Sequence, residues 1–413
     1  MLLLRPNIDI VQKHIQREVH IMDCRFSAKS TLVILCALLA TSVVWATDVE
    51  FIPLGDLPGG RVQSRCWGVS PDGQMVAGTG EVEPYETGGL SNVAFRWNES
   101  GGMIGLGGLP TRPNSQGLDV SNTGAVVGWA REGNYRTRPF YWSEPTGMLD
   151  MGSLNGNPET DGLAFAVSAD GEVVVGESYG SNGREAFRWT PTGGMVGLGD
   201  LAGGTFSSEA VDISADGSRI VGNGRTGNGL EGFLWTVDDG MVSLGAGAAR
   251  AISADGQTVV GRTLFEGGAS QTDGFRWTEQ EGMVSLGVPE PGAIDIYPYG
   301  VSGDGSTIVG WWVDVNNHNR PFMWDEEHGI RDAQDALIAD YGMADLLDGW
   351  TLVDIMDISA DGLTLVGEVV GPDGMPQAYV IRLPEPSSAF AAGLFALMFA
   401  RRYRRLSTST TKS

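Results

Sequence analysis

Between Asp48 and Leu383 the chain repeats one unit many times. A tryptophan closes a short aromatic stretch at Trp97, Trp142, Trp189, Trp235, Trp277 and Trp324, at intervals of 42 to 47 residues. A Ser-x-Asp-Gly turn keeps the same beat, ending at Gly73, Gly171, Gly217, Gly256, Gly305 and Gly362, with Ser121 to Gly124 as a variant. A unit of that length cannot bury its apolar face alone, so its neighbours must cover it. The period restricts the chain to a propeller or a solenoid.

The inside of the unit decides between the two. Strand a, such as Ala210 to Ser214, runs into an Asp-Gly turn suited to a tight hairpin. Strand b is a β-branched run ending in glycine, as in Val173 to Gly176, and strand c carries the tryptophan, as in Ala186 to Trp189. Strand d is Met-x-x-Leu-Gly, as in Met195 to Gly199. Four antiparallel strands per unit make a propeller blade, whereas a solenoid of this period would carry helices or parallel coils.

The chain opens with a lone strand d, Phe51 to Gly55, and its last unit, Val353 to Leu383, lacks one. The orphan is expected to complete that unit. Six whole units and one split one predict an all-β fold, a seven-bladed β-propeller closed as a ring by its N-terminal strand. One helical pattern interrupts the body, Arg331 to Gly349, with Ala333, Leu337 and Tyr341 on one face. It is expected to replace strand d of the sixth unit and to pack as a short helix against the ring.

The 61 glycines among 413 residues suit such an array of tight turns. A formal net charge of −24 repels phosphate backbones, which argues against nucleic acid, and none is expected as a partner. Cys24 and Cys36 precede the repeats, so Cys66 has no disulfide partner within them. His318 and His328 are too few for a metal cluster or a Ser-His-Asp arrangement, and neither metal nor cofactor is expected. The repeated aspartates, Asp72 and Asp216 among them, read as turn residues before glycine. Arg96, Arg188 and Arg276 stand where Tyr141, Leu234 and Met323 stand in other units, so they read as packing stems.

Met22 to Ala46 holds two cations, an apolar run from Thr31 and the closing Val44-Trp45-Ala46, the order of a secretory signal peptide cut by signal peptidase after Ala46. At the other end Pro384, Glu385 and Pro386 precede an apolar run, Ala389 to Ala400, and then Arg401, Arg402, Arg404 and Arg405. That order resembles the PEP-CTERM sorting signal, which implies recognition by an exosortase and transient contact with a membrane. The expected organisation is an extension with its signal peptide over 1–46, the propeller over 47–383 and the sorting segment over 384–413. The units themselves resemble the HAF-repeat family of extracellular repeat proteins, whose signature is a small residue or His before Phe and Trp, then Leu-Gly-x-Leu and an Asx-Gly turn. Ala94, Pro139, Ala186, Gly232, Gly274 and Pro321 fill the first place here. The resemblance implies an exported β-rich protein and brings no activity with it.

Strand alternation sends the a–b and c–d connections to one face and the b–c loops and d–a crossovers to the other. Length variation gathers on the second face, where function on a rigid scaffold is expected. The residue after the strand b glycine is Thr79, Trp129, Glu177, Asn223, Arg262, Trp311 or Glu368, a mostly polar series. Trp129 and Trp311, with Tyr85, Tyr135, Asp314 and Asn316 beside them, form the expected ligand site: the indoles stack on sugar rings while polar groups bond hydroxyls. The chain therefore reads as an exported, non-enzymatic module of the cell surface or beyond, binding polysaccharide or another surface protein. It would be periplasmic or membrane-anchored if the C-terminal segment were retained. The alternative is a propeller-type glycan hydrolase or lyase using acidic pairs near the axis.

Overall fold

The computed structural model describes residues 49–60, 63–82, 91–131, 136–264, 272–289 and 293–385. The expected signal peptide, Tyr85, Tyr135, and Pro386 with the residues after it lie outside the described residues. Among the described residues no helix is long and apolar enough to cross a membrane.

Within the body, Asp48–Leu383, the sheets are antiparallel and follow the order a, b, c, d. Ser64–Val69, Val76–Val82, Ser91–Asn98 and Gly102–Gly105 form the first, and the sheets that begin at Asn114, Gly162 and Ser208 repeat it. Two further groups of four, beginning at Ala248 and Asp295, share one eight-stranded sheet through a single parallel pair, Thr272 with Asp295. In the last sheet strand a is broken into Thr351–Leu352 and Asp357–Ile358, beside Thr364–Val370 and Pro376–Arg382. The outer place there belongs to Glu50–Gly55, which runs antiparallel to Pro376–Arg382 with Phe51 opposite Ile381.

Strand b is buried on both sides and needs its glycine. A Cβ at Gly222 would stand 2.0 Å from the Glu209 carbonyl oxygen and 2.4 Å from the ring of Phe233, and five other units share the arrangement. Those rings, Phe95, Phe140, Phe187, Phe233, Phe275 and Phe322, are almost wholly buried. In the last sheet Tyr379 takes the place of Phe and donates its hydroxyl to the Asp354 carbonyl at 2.9 Å. Cys66 lies beside it, bonded to the Gly367 carbonyl at 3.2 Å, and burial pushes its thiol up to about 12, so it is inert.

At three junctions neighbouring sheets meet through the residue before a strand c tryptophan. Arg96 lies 5.1 Å over Trp142, Tyr141 lies 5.3 Å from Trp189, and Arg276 lies 5.9 Å over Trp324. On the face of the a–b turns, backbone N–H groups donate from turn to turn: Asn122 to Ala169, Ala169 to Ala215, Ala215 to Ala254, Asp255 to Gly303, Gly303 to Ala360 and Ala360 to Pro71. Asp72 N–H supplies the remaining link, to Asn122 Oδ1 at 3.0 Å. The turn aspartates stay local, as Asp72 accepts from Ser70 Oγ at 2.6 Å and from Gln74 N–H at 3.0 Å.

The helical insertion corrects one expectation. Strand d of its unit is present, Gly329–Asp332, and the helix Ala333–Tyr341 follows it instead of replacing it. Gly329, in the left-handed region at φ 67°, makes the tight turn that returns the chain for this strand. Asp332 ends the strand and caps the helix, accepting from Asp335 N–H at 3.1 Å, and Gly342 closes it at φ 69°. Ala333, Ala336 and Leu337 are buried, and Gln334 bonds Trp350 and Leu352, so the helix packs on the body.

Candidate functional site

Strand a of each complete unit breaks register near its end, and the bulge turns one extra side chain inward. Trp67, Leu118, Phe165, Val211, Arg250 and Tyr299 thereby line a cavity of about 290 Å³, with Met356 from the last sheet. Every sheet contributes its strand a to this wall, so the cavity runs along the axis the sheets share.

The next residue along each strand is Gly68, Asp119, Ala166, Asp212, Ala251, Gly300 or Asp357. Each aspartate reaches to the following sheet: Asp119 Oδ2 accepts from Val167 N–H at 2.8 Å, Asp212 Oδ2 from Ile252 N–H at 2.7 Å, and Asp357 Oδ2 from Val69 N–H at 2.9 Å. The other oxygen takes the N–H of the residue after it. Although the cavity reaches these carboxyls, the surrounding protein desolvates them. That pushes Asp119 and Asp212 up to about 7 and Asp357 well above the ordinary range, with mutual repulsion adding to Asp212 and Asp357.

Toward the b–c face, channel residues of strand a sit opposite the series that follows the strand b glycine. The pairs are Arg65 with Thr79, Gln116 with Trp129, Leu163 with Glu177, Glu209 with Asn223, Ala248 with Arg262 and Tyr297 with Trp311. The strand a member of each pair stands two residues before a cavity-lining side chain, so the pairs lie toward one end of the cavity, its mouth, whose sectors differ in chemistry. In one, Tyr297 stacks on Trp311 at 4.0 Å and Tyr299 lies nearly parallel at 6.3 Å. Arg262 stands 4.7 Å over Tyr297 and Arg250 stands 5.8 Å over Tyr299, so a cation flanks each tyrosine.

A second sector holds a charged cluster. Arg184 lies 2.8 Å from Glu177 and 2.5 Å from Glu209, whose other oxygen accepts from Asn223 Nδ2 at 3.1 Å. Burial pushes Glu177 up to about 8 despite the arginine, with Glu209 opposing its ionisation. In a third sector Arg65 meets Asp354 at 2.7 Å and Glu368 at 3.5 Å, and burial raises both carboxyls.

Trp311 is a wall of the aromatic sector, whereas Trp129 belongs to another sheet and lies 4.9 Å beneath Arg131. Asp314 Oδ1 closes its own loop, accepting from Asn316 and His318 N–H groups at 2.8 and 2.9 Å; Asn316 is exposed. Among the described residues no cluster could hold a metal ion. Tyr297, Tyr299, Arg250, Glu209 and the three channel aspartates escaped sequence reasoning. One signal was available: aspartate stands in place of glycine or alanine two residues before the turn serine in three units.

No family model matches the chain, and no curated protein matches it. The resemblance to HAF-repeat proteins and to the PEP-CTERM signal is thus overturned. The Phe-x-Trp and Gly marks on which the first rested have packing roles, with Phe against the strand b glycine and Trp142, Trp189 and Trp324 against a residue of the preceding sheet, and so carry no family information. Among solved structures the chain is similar to an oligogalacturonate lyase from Vibrio parahaemolyticus, with 11% identity, 82% of this chain and 98% of that one covered, and a TM-score of 0.50. It is also similar to a puromycin hydrolase S511A mutant, with 14% identity, 82% of this chain and 58% of that one covered, and a TM-score of 0.52. The β-propeller domain of a trilobed protease from Pyrococcus furiosus matches with 10% identity, 78% and 94% coverage and a TM-score of 0.45. The fold is that of a β-propeller.

Proposed function

We propose that the chain is a seven-bladed propeller closed into a ring, exported, and that it binds polysaccharide at the axial mouth without chemistry of its own. The turn-to-turn hydrogen bonds that pass from Ala360 back to Pro71 support closure, and the signal-like order of Met22 to Ala46 supports export. The aromatic sector carries the ligand class: Tyr297, Tyr299 and Trp311 are half-buried rings at an open mouth, beside guanidinium groups that bond hydroxyls. The test is affinity electrophoresis of the full chain in gels containing different polysaccharides. Trp311→Ala is expected to weaken retention roughly tenfold or more while the fold stays intact. Retention by no polysaccharide, or retention unchanged in the variant, overturns this function.

A second use of the same mouth is favoured by Glu177, an acid whose burial favours its protonated form and which meets Arg184 at 2.8 Å. A glycan hydrolase or lyase needs such a proton donor. Release of reducing ends from a bound polysaccharide, abolished in Glu177→Gln, would establish it; binding without release leaves the non-enzymatic function.

A further inference from the structure

We propose that the glycan held at this mouth is acidic, its sugar carboxylate taken by Arg250 and Arg262; this rests on the polysaccharide function above and names its chemical class. The chain is strongly acidic, and nine arginines of the described residues meet a carboxylate. Arg250 and Arg262 meet none among the described residues, although both stand in the sector of Tyr297, Tyr299 and Trp311, where a ligand has rings to lie against. Their only partners there are the faces of Tyr299 and Tyr297, which fix the guanidinium planes without neutralising them.

One donor in this sector is also unsatisfied. Arg250 Nε is buried without a hydrogen-bond partner, and Arg250 lines the axial cavity. Only an acceptor can satisfy it, and a carboxylate offers several lone pairs in one plane. The acids nearby do not fill this role. Glu209 is engaged by Arg184 and Asn223, Asp354 and Glu368 by Arg65, and the channel aspartates by backbone N–H groups. The cavity of about 290 Å³ matches the lower end of small-ligand sites, roughly 300–1,000 Å³, so one sugar unit enters while the rest of the chain remains at the mouth.

The carboxylate claim is tested with one ligand in two forms: a uronate oligosaccharide and the same oligosaccharide after chemical reduction of its carboxyls to primary alcohols. Titration of the full chain by calorimetry is expected to show roughly 10- to 100-fold weaker binding of the reduced form. Arg250→Gln and Arg262→Gln are each expected to weaken the acidic form and to leave the reduced form nearly unchanged. Equal affinity for both forms overturns the carboxylate assignment while the glycan function stands. Failure to bind either form, or any polysaccharide, overturns both. Because the two ligand forms are compared on the unmodified protein, a variant that fails to fold does not shield the proposal.

Discussion

Ser64 Oγ accepts the backbone N–H of Ala378 at 3.1 Å, across 314 residues of chain, and donates to the Gly55 carbonyl. The same device joins consecutive sheets elsewhere. Ser115 accepts from Ala94 N–H at 2.9 Å and donates to Gly107 at 2.5 Å, and Ser208 accepts from Ala186 N–H at 3.0 Å and donates to Gly199 at 2.6 Å. The two ends of the body therefore meet as any two neighbours do.

Removing residues 48–57 should open that junction. The deletion takes away the partner of Pro376–Arg382 and the ring of Phe51, which packs edge-on against Trp350 at 5.3 Å. Urea denaturation is expected to show a loss of about 3 kcal/mol or more. An unchanged midpoint would mean that this strand contributes nothing to the body.

Replacing Asp119 with Asn exchanges one accepting oxygen for an amide that donates. Either Val120 or Val167 N–H then faces a donor inside the wall. A loss of about 1–3 kcal/mol is expected by denaturant titration. The same change at Asp72, an exposed turn residue, should cost less, and equal losses would argue against the bridging role.

Stability should decline as pH rises from about 4 to about 7. Asp119 and Asp212 hold their protons more tightly in the folded chain, near 7, than the ordinary value of 3.8. The folded state thus binds more protons across that window, and unfolding becomes easier as they are lost. Glu177 extends the decline toward its value of about 8, so Glu177→Gln should gain on the parent as pH climbs through that range. Aspartates held below their ordinary range, Asp170, Asp216 and Asp304, act in the opposite sense, and only below about pH 4. Thermal melts in buffers from pH 4 to 9 measure the slope; a rise across the window would refute it.

Gly222→Val should disrupt its sheet. The new side chain begins 2.0 Å from a carbonyl oxygen and 2.4 Å from Phe233, and neither the strand nor the buried ring has room to yield. A loss of about 2–4 kcal/mol or aggregation on expression is expected. Gly229, at φ 117° with open space around it, tests backbone strain without the clash, and Gly229→Val should stay soluble.

Strand order and turns were legible because each repeats: a wrong assignment in one unit is corrected by six others. The lone Phe51 to Gly55 was legible as a missing strand for the same reason. The mouth was harder to read. Tyr297 and Trp311 touch through a strand pairing, and Arg250 and Tyr299 reach the cavity only because a bulge breaks the two-residue alternation on which sequence reasoning depends. Asp314 stands before asparagines with the composition of a binding loop, and sequence alone could not show that one of its oxygens closes its own turn. Strand d beside the helix was hidden because Gly329–Asp332 lacks the Met-x-x-Leu mark of its counterparts.

The strand Glu50–Gly55 is made before every other strand of the body and finds its partner last, because Pro376–Arg382 is made some 320 residues later. Throughout synthesis the growing chain therefore carries an unpaired leading strand and an incomplete trailing sheet. A chain cut short anywhere before residue 376 can never dock its own beginning. Such fragments would keep an open edge, which proteases and chaperones recognise, so pairing the first strand with the last acts as a length check on the finished polypeptide.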